Sequence, residues 1–101
     1  MRPEVRVFTA DGPLPDWDAS AEEIERRTLQ LHAIPRPVTE EEAQALAACF
    51  GPDDCYGVAW TLLHTIETGP NPVLTTEPAP AANEWHHRLW LRAVVGGLLS
   101  E

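Results

Sequence analysis

Histidines and carboxylates carry most of this chain's capacity for chemistry. His64 and Glu67 stand three residues apart in an apolar stretch, a spacing that places both on one side of a helix. An imidazole and a carboxylate so placed can work as an acid–base pair or as two ligands of a metal ion. A metal needs more donors, and only His86 and His87 can add to the set. Neighbouring helical residues point about 100° apart, so these two imidazoles do not face one ion unaided. His87 projects onto the apolar side of its helix and His86 away from it. The alternative catalytic reading is therefore His64 with Glu67, and the alternative metal reading is His64, Glu67, His86 and His87. Structural hydrogen bonding is the favoured role for all four. No metal, cofactor or catalytic residue is expected.

Asp53 and Asp54 resemble half of a carboxylate metal site, but aspartate after a Gly-Pro step reads first as a helix cap. The chain has no Gly-rich phosphate loop, Cys-x-x-Cys pair, His-Glu-x-x-His motif or nucleophile elbow. Seven basic residues, all arginine, stand against sixteen acidic ones, for a formal charge of −9 over 101 residues. Scattered arginines in so acidic a chain do not make the basic patch that a phosphate backbone requires, so nucleic acid is excluded as a partner. An acidic surface favours a basic protein. No segment has the apolar length of a secretion signal or a membrane span, so a cytoplasmic location is expected. Cys49 and Cys55 do not form a disulfide framework and are expected to be reduced and buried.

The length fits one small domain, and capping signals divide it. Residues 1–18 contain Pro13, Pro15 and a brief alternation at Val5, Val7 and Thr9. They read as an extended N-terminal arm anchored by Trp17, with a short strand over 5–8 only if a partner strand exists. The helical domain then occupies residues 19–101. Ser20 with Glu23 predicts a capping box opening a surface helix to about His32, with Glu22–Arg26 and Glu23–Arg27 pairs and an Ile24, Thr28, Leu31 stripe. Thr39 with Glu42 predicts a second box, and Glu40, Glu41 and Glu42 suit the positive end of that helix. Its apolar face is Ala43, Leu46, Ala47 and Phe50, and Gly51 is expected in the left-handed conformation that ends it.

Pro52, Asp53 and Asp54 then restart the chain, so residues 40–67 read as a central αα-hairpin. The second arm of that hairpin shows a wide apolar face of Cys55, Tyr56, Val58, Ala59, Trp60, Leu62, Leu63 and Ile66, with Trp60 central and Glu67 at its margin beside Tyr56 and Trp60. Gly69 to Pro72 stops it, and a Pro-rich loop runs to Ala82. Asn83 caps a last helix reaching about Leu99, with a face of Trp90, Leu91, Val94, Val95 and Leu98. Arg88 and Arg92 lie four apart there and call for a carboxylate such as Glu67. The expected fold class is all-α, a small bundle of about four helices with a central αα-hairpin and the N-terminal arm.

The run FGPDDCYGVAWTLLHTIETGP followed by NEWHHRLWLRA, within residues 39–93, resembles small uncharacterised actinobacterial proteins of the kind suspected to act as immunity factors for polymorphic toxins. The resemblance rests on Gly51, Asp53, Asp54, Gly57, Trp60, His64, Glu67, Asn83, Trp85 and Arg88. It implies partner binding without turnover. The leading expectation is an acidic interaction module that covers a basic partner protein, using Glu40, Glu41, Glu42, Asp53, Asp54, Trp85 and Arg88. The alternatives are a small enzyme or biosynthetic accessory protein using the His/Glu site, and a structural homodimer subunit. The expected assembly is a monomer or weak homodimer.

Overall fold

Local side-chain caps set most helix starts. The computed structural model describes residues 1–97. Ser20 Oγ accepts from Glu23 N at 3.1 Å and opens helix α2, Ala21–His32. Thr39 and Glu42 form the reciprocal box at the start of helix α3, Glu40–Ala47, with bonds of 3.1 and 2.9 Å. Asn83 Oδ1 accepts from Trp85 N at 2.8 Å and starts helix α5, Glu84–Val95. Each cap answers amides that a first helical turn leaves unpaired. The remaining helices are α1, Pro3–Ala10, and α4, Val58–Glu67. The protein is an all-helical small bundle, with no strand among the described residues.

Residues 3–10 correct the expectation of an extended arm. Pro3 stands at the first turn, where its missing amide costs no hydrogen bond, and Val5 and Phe8 bury one helical face. The alternation at Val5 and Val7 misleads because Val7 is exposed. Val5, Phe8 and Leu14 belong to the same core as the hairpin, so the first eighteen residues are continuous with the body. Leu14 N donates to Cys49 O at 2.8 Å, and Gly51 lies so close to Leu14 O that a Cβ there would stand 2.2 Å from it. Gly51 therefore allows two chain segments to touch and does not terminate a helix in the left-handed region, since α3 already ends at Ala47. Trp17 is 61% exposed and is not an anchor; its backbone amide is, donating to Asp53 Oδ2 at 3.1 Å.

Helices α3 and α4 form the central hairpin. Val38, before α3, donates to Thr68 Oγ1, and Arg36 reaches Thr65 Oγ1, each at 3.1 Å, so the start of α3 lies beside the end of α4. The Arg36–Pro37 peptide is cis. Asp53 and Asp54 do not begin α4 directly: a single 3-10 turn, Cys55–Gly57, intervenes. Cys55, Tyr56 and Gly57 follow in the left-handed region, at φ 46°, 53° and 89°, as a tight turn before α4 starts at Val58. Two non-glycine residues in that region carry strain, and Asp53 Oδ1, accepting from Cys55 N at 2.8 Å, helps hold them there. Tyr56 is 69% exposed, which corrects its place on the buried face. Leu62, Leu63, Ile66, Val58 and Ala59 are buried as expected, whereas Trp60 is 36% exposed.

Helix α5 runs parallel to α4, because its contacts rise together with α4 in number, from Trp60 beside Trp85 and Arg88 to Glu67 beside Arg92. The loop over residues 68–83 is the return path that parallel packing demands. The buried face of α5 is Trp85, Leu89 and Ala93, a strict i, i+4, i+8 line, and not the expected Trp90, Leu91, Val94 and Val95. Leu91 and Val95 are exposed, and Leu98 and the extension toward Leu99 lie outside the described residues. Helix α2 is not a surface element throughout: Arg27 and Leu31 are buried.

Candidate functional site

The exposed positions of α4 are Trp60, His64 and Glu67, an i, i+4, i+7 line opposite its apolar face. Helix α5 brings two arginines to that line. Arg92 Nε and Nη2 donate to Glu67 Oε2 and Oε1 at 2.7 and 2.9 Å, a two-point pair that raises the guanidinium's pKa. Arg88 lies over the Trp60 and Trp85 rings, 5.1 and 4.8 Å from their centroids, and donates to Glu84 Oε1 at 2.6 Å. The carboxylate called for beside Arg92 is thus Glu67, and Arg88 takes its own from one turn earlier.

This geometry separates the residues grouped for acid–base or metal chemistry. Glu67 turns to Arg92, while the His64 ring lies 6.2 Å from the Trp60 ring. His86, expected to point away from the body, faces α3 instead: its Nε2 donates to Ala47 O at 2.7 Å and its edge meets Phe50. His87 is half-buried on the next position. Among the described residues no group of three or more His, Cys, Asp or Glu side chains is placed to hold a metal ion. Cys49 and Cys55 are free and buried, and burial raises both thiol pKa values.

The acidic candidates divide into internal and external sets. Glu42 is fully buried. Its Oε2 accepts from Arg2 N and Nε at 3.0 and 2.9 Å, and its Oε1 from Arg2 Nη2 and Thr39 N at 2.7 and 2.9 Å. The Arg2 guanidinium holds this carboxyl well below the ordinary carboxylate range. Asp53 bridges Cys55 N and Trp17 N, and Trp85 is stacked on Phe50 at 5.8 Å and meets Trp60 edge-on at 5.0 Å. Glu42 and Trp85, expected in a partner-binding set, are therefore core groups, and Asp53 is a turn clamp. Glu40, Glu41 and Asp54 remain exposed, and Arg88 is half-exposed.

The sequence reading missed what gathers around Asp53. Its bond to Trp17 N holds the Trp17 backbone at the turn that displays Tyr56. The available signal was Gly57 inside an otherwise apolar helical pattern, a residue that takes positive φ without steric cost and here has φ 89°.

A cleft of about 260 Å³ opens between the C-terminal half of α4, the start of the following loop and α5. Ile66, Val73, Leu89 and Ala93 supply apolar wall, and Glu67 and Asn71 are its polar side chains. A shallower one of about 370 Å³ lies on the other side of the Glu67–Arg92 pair, against Leu91 and Val95. No protein-family model, curated protein or solved structure matches this chain. No helix among the described residues is long and apolar enough to cross a membrane.

Proposed function

We propose that this protein is an acidic interaction module that binds a basic protein, in its most specific form an immunity-type inhibitor that covers a basic site on a toxin. One observation carries the reading: three large aromatics, Trp17, Tyr56 and Trp60, stay exposed on a chain of net charge −9, with the Trp17 backbone held by Asp53, and with Tyr56 in the turn that follows it. Exposed aromatics supply the tight contacts of an interface, and an excess of one sign of charge steers the encounter. Strain at Cys55 and Tyr56, whose φ angles are 46° and 53°, is consistent with a segment kept for recognition. The resemblance described above supports the immunity form, and two buried free thiols suit work in the cytoplasm.

The test is binding kinetics between this protein and the product of the gene beside its own. Tyr56→Ala should speed dissociation at least tenfold, and Asp54→Arg should slow association at low salt. Unaltered kinetics in both variants would remove this surface from the reading. A homodimer through Leu91 and Val95 is the second reading, favoured by the exposure of both residues on α5. Like charge on two copies opposes it, and sedimentation equilibrium as a function of salt separates a monomer from a dimer.

A further inference from the structure

We infer that the cleft between α4, the Gly69–Val73 segment and α5 is a binding site for a small organic cation with an apolar body, such as an aryl- or alkylamine. This goes beyond the protein-binding reading and does not depend on it. The volume is sufficient: core cavities of about 150 Å³ hold a benzene ring, and this cleft measures about 260 Å³. Its walls are side chains of Ile66, Val73, Leu89 and Ala93 together with prolines 70 and 72, so the larger part of a ligand would be held by apolar contact.

The sign of the ligand's charge follows from which charged groups line the cleft. Glu67 lines it and Arg92 does not; Arg92 reaches the carboxylate from the opposite side and lines the neighbouring shallow cleft. A ligand seated against Ile66 and Leu89 therefore meets a carboxylate at the mouth, with the Asn71 amide oxygen as a second acceptor for an ammonium N–H. The net charge of −9 adds a field that concentrates cations and depletes anions. An ammonium would share or take Glu67 from Arg92, whose own side chain is exposed enough to be solvated on release.

The experiment uses phenethylamine, its neutral analogue 2-phenylethanol and its anionic counterpart 3-phenylpropionate, titrated into the full chain and followed by methyl NMR. The amine is expected to saturate, with shifts centred on the methyls of Ile66, Val73, Leu89 and Ala93, and the alcohol to bind about tenfold more weakly, as loss of one charge-assisted hydrogen bond implies. Glu67→Gln should weaken the amine about tenfold, whereas Arg92→Gln, which leaves the carboxylate uncontested, should strengthen it. Circular dichroism melting checks that both variants fold. Absence of saturable amine binding, shifts centred elsewhere, or preferred binding of 3-phenylpropionate that Arg92→Gln abolishes would each overturn the proposal.

Discussion

Helix α1 is fastened at its two ends by arginines that answer their charge in opposite ways. At its start, Arg2 meets the buried carboxylate of Glu42 and also donates to Pro35 O and Pro37 O, tying α1 to the head of α3. At its end, Arg27 of α2 meets no carboxylate. Its guanidinium donates to Phe8 O, Asp11 O and Gly12 O at 3.1, 3.2 and 2.9 Å and lies 4.3 Å from the centre of the Phe8 ring. Phe8 O is one of the carbonyls a helix C-terminus leaves unpaired, Asp11 and Gly12 follow directly on that end, and the helix dipole makes it negative. Asp11 turns its own carboxylate to Arg26 and Gln30. Burial lowers the Arg27 pKa, yet an arginine stays charged throughout the usual range. A buried charge can thus be met by a formal countercharge or by oriented peptide groups, and only the first arrangement titrates.

Removing the carbonyl-bound arginine should have the largest effect. Arg27→Ala leaves three acceptors without their donor and a void against Phe8, and should cost about 4 kcal/mol. Arg27→Lys keeps the charge but not the fork, and should lose about half as much. Urea denaturation followed by circular dichroism measures both. Equal stability of the lysine variant and the parent would mean that charge alone, and not the planar fork, holds the end of α1.

Next is the ion pair. Arg2→Ala leaves the Glu42 carboxylate buried with only backbone amides, at a cost of about 3 kcal/mol. The pH response separates the two ends of α1 more sharply than size does. The Glu42 pKa is lower in the folded protein than its ordinary value of 4.5, so its stabilisation is complete above that value and is lost as the pH falls below it. Stability of the parent should therefore decline through the acid range, Arg2→Ala should flatten that decline, and Arg27→Ala should lower the whole curve without changing its slope.

The same contrast explains what was legible in the sequence. Ser20, the Thr39–Glu42 box and Asn83 mark helix starts through groups two or three residues apart, and those starts were readable. Helix α1 was not, because it buries only Val5 and Phe8 and its main clamps join Arg2 to Glu42 and Phe8 to Arg27 across long sequence separations. The capping box identified Glu42 as the reciprocal partner of Thr39, but nothing local said that Arg2 would come to lie on it. The candidate site was half legible for a similar reason. A helical projection puts His64 and Glu67 on one side of α4 with Trp60 one turn before His64, yet the arrival of Arg92 at Glu67 depends on the parallel path of α5. The face of α5 itself was misplaced because Leu91 and Val95 look more apolar than the line through Ala93 that packing selects.

A third arginine, Arg88, gives an intermediate case, with rings on one side and Glu84 on the other. Arg88→Ala should cost about 1 kcal/mol, the scale of a half-exposed cation–π contact. Trp60→Ala should cost about 1–2 kcal/mol through its edge contact with Trp85, less than the 3–5 kcal/mol that a fully buried tryptophan would imply. A loss near the upper figure would restore Trp60 to the core and weaken its place in the binding surface. Thermal melts of the two single variants and the double variant would also show whether Arg88 and Trp60 act together.

The smallest effect on folding, and the most direct bearing on function, is expected from the carboxylates beside Glu42. Glu40 and Glu41 share its helical turn but face solvent, so they contribute through the helix dipole and, for Glu41, through a solvent-screened pair with the Met1 ammonium at 3.4 Å. Reversing Glu40, Glu41 and the exposed Asp54 to lysine should change stability by less than about 1 kcal/mol. Adding the same reversal at Glu42 should unfold the protein, because a second cation would then face Arg2 in a closed site. With a basic partner, the triple reversal should slow association several-fold at low salt, and the difference should disappear as screening shortens the reach of exposed charges. An association rate indifferent to the reversal would limit these acids to keeping the molecule soluble and would leave the exposed aromatics Trp17, Tyr56 and Trp60 as the whole of the binding surface.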